Sequence, residues 1–187
     1  MSFFKTLQKS SQNLSKIQPM CLCAMMLALR VVLGIFTNFT LSFTPFAKVG
    51  LSFLPIVIIA YLYGPVCASV VSGFGDILSI ILNNPSAFSI MPGITACYFI
   101  EGFLLGIVLY EKEVKVPRIS IAFITVLLLC RLPLNTLVLS LMMSVPFFEI
   151  LMWRVIVLVP FAVIEIILSF VVLRTIDKTP TLKKLIK

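Results

Sequence analysis

Apolar residues occupy this chain in long blocks rather than on one helical face, and each block is closed by charged residues, prolines or glycines. Six such blocks emerge: Gln18–Asn38, Phe46–Tyr63, Pro65–Asn83, Gly93–Tyr110, Ile119–Met143 and Phe148–Arg174. A helix rises about 1.5 Å per residue and a bilayer core is about 30 Å thick, so about 20 apolar residues suffice to cross it. A segment that is hydrophobic all round has no side to turn to water. The pattern therefore predicts an all-α integral membrane protein, a bundle of six transmembrane helices. The second block is the least regular. Gly64-Pro65 ends it in a tight turn and Thr44-Pro45 blurs its start, which predicts a short or tilted span.

The polar stretches between blocks set the orientation. Lys5, Lys9 and Lys16, then Lys112, Lys115 and Arg118, then Arg174, Lys178, Lys183, Lys184 and Lys187 fall at one set of ends, and only Lys48 falls at the other. Basic residues stay on the cytoplasmic side, so both termini are predicted there, in agreement with an even number of spans. The chain divides into an N-terminal stretch 1–17, a membrane domain 18–174 and a basic cytoplasmic tail 175–187. Ser2–Ile17 reads equally as an amphipathic helix on the anionic membrane surface or as a flexible lead-in. The opposite loops, Phe39–Val49, Asn84–Pro92 and Ser144–Phe147, are nearly uncharged and rich in Pro, Phe, Ser and Asn, a composition suited to folding down as lids.

Composition excludes a soluble domain: 60% of residues are hydrophobic, 12% are charged and mean hydropathy is +1.16, against about 25% charged in a typical globular chain. No cleavable small-residue site follows the first block, so insertion itself is the expected targeting. The net charge of +8 lies at loop ends and not on a face that would meet nucleic acid. Cys21, Cys23, Cys67, Cys97 and Cys130 all fall inside apolar blocks and the chain has no histidine, so neither metal binding nor disulfides are expected. There is no GxxxxGK[ST] loop, HExxH or GxSxG pattern. The chain is expected not to be an enzyme and not to energise anything with ATP itself.

Charges inside the apolar blocks carry the functional information. Arg30, Asp76, Glu101, Arg131, Arg154 and Glu165 each lie within a block, and a charge at that depth persists only when paired or facing a water-filled space. Counting along the helices puts Glu101 and Arg131 at one level, Arg30 and Asp76 near the midplane, and Arg154 nearer the outer surface. Two readings stand for Glu101–Arg131 and for Arg30–Asp76: self-neutralising helix pairs, or walls of one polar cavity. Glu165, near the cytoplasmic boundary, is expected to snorkel to water. Asn135 follows Arg131 by one turn and Pro133 by two residues. That proline marks either a simple kink or a freed backbone carbonyl facing a cavity.

Ala24-x-x-x-Ala28, and Ser69 with Gly73, are small-xxx-small patterns that let another helix approach closely. Together with Lys48-Val-Gly-Leu-Ser-Phe-Leu-Pro55, Tyr63-Gly-Pro65, Gly73-Phe-Gly-Asp76, Pro92-Gly-Ile-Thr95 and Pro133-Leu-Asn-Thr136 they carry a resemblance. From about Cys21 to Arg174 the chain resembles the substrate-binding S components of energy-coupling factor vitamin transporters, and within them the folate-specific branch. The resemblance implies a bacterial plasma-membrane protein that binds its vitamin from outside. It also implies docking on a transmembrane scaffold with two ATPase subunits, which would use ATP on its behalf. Ala24 and Ala28 look like the motif through which the family meets that scaffold.

On that reading Lys48, Arg131 and Arg154 suit the glutamyl carboxylates of folate. Asp76 and Asn135 suit the pterin edge, and Phe43, Phe46 and Phe88 suit an aromatic lid. The chain departs from the branch where Lys48 replaces an arginine, Ile94 a phenylalanine and Val138 a tryptophan. A lysine keeps the charge but loses the bidentate fork. The rival ligands are another vitamin or precursor such as pantothenate or a deazapurine. The rival class is a structural membrane subunit that binds nothing.

Overall fold

Blocks that are hydrophobic all round form helices whose outer faces stay apolar. The computed structural model describes residues 3–14, 16–37, 39–40, 48–83 and 92–178. In chain order these are α1 (Phe3–Leu14), α2 (Ile17–Thr37), the short strands β1 (Phe39–Thr40) and β2 (Lys48–Val49), α3 (Phe53–Tyr63), α4 (Pro65–Asn83), α5 (Pro92–Leu109), α6 (Val116–Val126), a π-helical stretch Leu127–Leu134, α7 (Asn135–Met143) and α8 (Phe147–Lys178). Among the described residues five spans are long and apolar enough to cross a membrane, the continuous Val116–Met143 among them, and Phe53–Tyr63 is a shorter apolar helix. The exposed residues of α8, including Met152, Ile156, Val163, Ile167 and Val171, are large and apolar, as lipid contact requires.

The second span differs from expectation. Helix begins at Phe53, not Phe46, and Lys48-Val49 instead pairs antiparallel with Phe39-Thr40 in the register Phe39↔Val49, Thr40↔Lys48. The physical reason lies at its first turn, where Phe53 is buried edge-on against Phe123 and Phe161, at centroid distances of 6.0 and 6.4 Å. Eleven residues carry α3 only about half-way through a bilayer core. The chain before Phe53 is therefore free to shape one end of the bundle.

Packing is tightest between α4 and α5. A Cβ at Gly102 would overlap the Ala68 carbonyl and one at Gly106 would overlap the Pro65 backbone, so this pair of glycines lets the two helix backbones touch. Ser69 Oγ donates to the Phe99 carbonyl at 2.9 Å, and Gly73 lies under the Phe99 ring. The Ser69/Gly73 pattern is thus used inside the bundle. The core around this seam contains Ile56, Ile59, Val71, Leu105, Phe123 and Val126, all essentially solvent-free.

The N-terminal stretch is helical and docked. Ser10 is fully buried, its Oγ donates to the Tyr63 carbonyl at 2.7 Å, and it accepts from the Val66 N–H at 3.1 Å. A hydroxyl from another helix thus closes α3 and opens α4 across the Gly64 turn, whose φ of +89° suits glycine alone. Of the two expectations for this stretch, Phe3–Leu14 is a helix, and Ser10 ties it to the α3–α4 turn. A cavity of about 390 Å³ opens beside it, lined by Thr6, Leu7, Pro65, Ile107, Tyr110, Glu111 and Lys112.

Candidate functional site

The polar side chains gather at and beyond the middle of the bundle, away from α1. They come from the second halves of α2 and α4, from α5 and α8 between their starts and just past their middles, and from the π-helical stretch running into α7. Each is placed by a local feature. Gly75 has no Cβ, which leaves room for Arg30 to lie along α4, and its guanidinium donates to the Val71 carbonyl at 3.0 Å and to that of Ser72. The same guanidinium sits 5.2 Å from the centroid of the Tyr98 ring. Arg30 is therefore tied to α4 carbonyls one turn before Asp76.

Asp76 is half-buried and accepts a 2.8 Å hydrogen bond from Thr95 Oγ1, which joins the far end of α4 to the start of α5. Thr95 belongs to the Pro92-Gly-Ile-Thr95 element but was not itself expected to contact Asp76. Among the described residues no three His, Cys, Asp or Glu side chains come together as metal ligands would.

Arg131 lies inside the π-helical stretch. Pro133 has no N–H to give to the residue four before it, so the helix widens, and the Asn135 N–H bonds the Cys130 carbonyl five residues back. Pro133 thus sits in a widened turn that also carries Arg131. Its Nη2 and Nε meet Glu101 Oε1 at 2.6 and 3.2 Å, and its Nη1 meets Glu165 Oε2 at 2.6 Å. Both carboxylates are buried. Glu165 does not snorkel: α8 turns it inward, where it meets Arg131, and water is out of reach.

Arg154 is 5% exposed, and its Nη1 donates to Asn135 Oδ1 at 3.3 Å while its Nε has no partner among the described residues. Asn135 and Arg131 thus both face α8, one towards Arg154 and the other towards Glu165. The inward stripe of α8 is Ile150, Arg154, Leu158, Ala162, Glu165, Ser169 and Leu173. Arg154 and Glu165 lie 11 residues apart on it, about three turns. That spacing was the available signal that Glu165 shares the face of Arg154.

Of the remaining expected residues, the Lys48 backbone lies in the β1–β2 pair beyond the end of α2, while Phe43, Phe46 and Phe88 lie outside the described residues. Ala24 and Ala28 are exposed on the outer face of α2, opposite the stripe of Pro19, Cys23, Arg30 and Gly34 that turns inward. They stand apart from the polar cluster.

Three comparisons bear on this arrangement. A relative named folate transporter FolT, from Clostridium novyi (strain NT), is 29% identical over 124 residues, spanning 66% of this chain and 69% of that protein. A solved structure described as FolT bound with folic acid superposes with a TM-score of 0.73 at 28% identity, covering 83% of this chain and 92% of that one. Residues 18–176, which include every charged side chain of the polar cluster, match the family described as ECF transporter, substrate-specific component. The chain belongs to that family, as a substrate-specific component of an ECF transporter.

Proposed function

We propose that this protein is the folate-binding S component of an ECF importer in a bacterial plasma membrane. It crosses the bilayer six times, with α3 as the short span and both termini in the cytoplasm. The cluster of Asp76, Asn135 and Arg154 then lies towards the outer surface, where vitamin arrives. The observation that carries the reading is Arg154: a buried cation whose Nε has no partner among the described residues, beside an amide and at the same end of the bundle as Asp76. Burying such a charge without a counter-ion is unfavourable, and an anionic ligand supplies one. The likeness to a folic-acid-bound FolT supports the choice of ligand.

In this reading Lys48 and Arg154 make the carboxylate end of the site positive, while Arg131, held between Glu101 and Glu165, braces it. Asp76 exchanges hydrogen bonds with the pterin edge, whereas Asn135, bonded to Arg154, belongs at the carboxylate end, and Phe43, Phe46 and Phe88 close over the rings. No cofactor takes part. Ala24 and Ala28 meet the scaffold, whose two ATPase subunits supply the energy. A thermal-shift panel on the purified protein with folate, 5-formyl-tetrahydrofolate, pantothenate, a deazapurine, riboflavin and thiamine tests the proposal. Stabilisation by folates alone is expected. Stabilisation only by another compound reassigns the vitamin, and stabilisation by none favours a structural subunit.

A further inference from the structure

Three arginines lie in the membrane-spanning part of the bundle, and their surroundings differ in a way that separates their roles. Arg30 is engaged with the Val71 and Ser72 carbonyls and the Tyr98 ring. Arg131 is gripped by Glu101 from α5 and Glu165 from α8. Arg154 bonds the neutral Asn135, and its Nε is buried without a partner among the described residues.

A ligand carboxylate at Arg131 would be the third carboxylate on one guanidinium that two buried glutamates already neutralise, so it would meet their repulsion without a free counter-charge. The Glu101–Arg131–Glu165 trio also has a net charge of −1, by two carboxylates against one guanidinium. An approaching anion gains nothing from it. Arg154 displaces no carboxylate when it turns to a ligand, and its hydrogen-bonding capacity is not exhausted.

We propose that Arg154, steadied by Asn135, is the cation in the bundle that reads the ligand's carboxylate. Arg131 is then a positioning residue, locked by Glu101 and Glu165 so that α5, the π-helical stretch and α8 hold one geometry. The inference rests on the vitamin-binding reading above and assigns roles within that site. Glu165 enters as a residue of the site architecture through its bond to Arg131.

The test is equilibrium binding of folate, and of a pterin lacking the benzoyl-glutamate tail, to the full-length protein in detergent. R154Q is expected to weaken folate binding about 100-fold, the scale for losing one side of a buried charge pair, and to leave binding of the tailless pterin unchanged. The triple variant E101Q/R131Q/E165Q replaces the trio with neutral amides that can still hydrogen-bond, and it is expected to keep folate affinity within about 10-fold. Undiminished folate binding by R154Q, or an equal loss for both ligands, overturns the proposal. A triple variant that folds but loses folate while keeping the tailless pterin also overturns it, by making Arg131 the reader. Should the triple variant not fold, the two-ligand comparison on R154Q decides alone. Failure of the wild-type protein to bind folate instead removes the vitamin reading on which the proposal stands.

Discussion

Arg131 and Glu165 meet at 2.6 Å, so a residue inside a π-helical stretch is tied directly to the middle of α8. Arg131 also holds Glu101 at 2.6 Å, and one guanidinium thus joins three segments that are far apart in sequence. The three side chains share one dry setting and bond to one another there.

Removing the centre of this trio is therefore expected to be worse than neutralising an arm. Arg131→Met leaves two buried carboxylates facing each other without a cation, and a loss of about 3–5 kcal/mol is expected. Glu165→Gln keeps an acceptor for Arg131 and should lose much less. Thermal unfolding of the two variants in one detergent provides the check. Equal midpoints would mean that the trio does not bear on stability.

Ser10 offers a second, independent test. Its hydroxyl serves the Tyr63 carbonyl and the Val66 N–H together, so Ser10→Ala removes a helix stop and a helix start at one stroke. A loss of about 1–2 kcal/mol is expected, with faster hydrogen exchange at the Val66 amide. Exchange at amides of the Glu101–Arg131–Glu165 region should not change. An unaltered Val66 amide would remove the capping role.

The outer face of α2 makes a prediction about assembly. Ala24 and Ala28 are exposed one turn apart, and no described residue covers them. Ala24→Trp should prevent co-purification with the scaffold while folate affinity stays within about two-fold, since a surface substitution away from the site perturbs little. Retention of the scaffold by this variant would sink the docking assignment.

How far the chain could be read in advance depended on the type of signal. Hydrophobic blocks are long and uninterrupted, so Pro65–Asn83 came out with its ends in place and the other long helices within a few residues of theirs. The short α3 did not, because its start is set by Phe53 packing on Phe123 and Phe161, two partners distant in sequence. The Gly102-x-x-x-Gly106 pattern was present in the sequence and passed over, although it makes the closest helix contact of α4 and α5. For the polar residues, the sequence located the charges but not their partners. Glu101–Arg131 could be anticipated from equal depth, whereas Glu165 was misjudged because depth alone ignores the 11-residue register that aligns it with Arg154. Arg30 could not be assigned at all, since its acceptors are backbone carbonyls, which leave no trace in composition.

Pro133 joins local backbone chemistry to the site. Its missing N–H favours the widened turn in which Asn135 bonds Cys130, and that turn aims Arg131 at Glu165 and Asn135 at Arg154. Pro133→Ala restores a donor, so the stretch can tighten towards regular α-helix and rotate α7 against α8. Stability should be unchanged or slightly higher, because a backbone hydrogen bond is gained. Folate affinity should nevertheless fall, by about 10-fold, because a site held about 1 Å out of place binds poorly even when every residue is present. Thermal unfolding and folate titration of the same preparation separate the two effects. A variant that loses stability and affinity in parallel would mean that Pro133 supports the fold generally, and one that keeps full affinity would mean that the widened turn is not needed to aim Asn135 and Arg154.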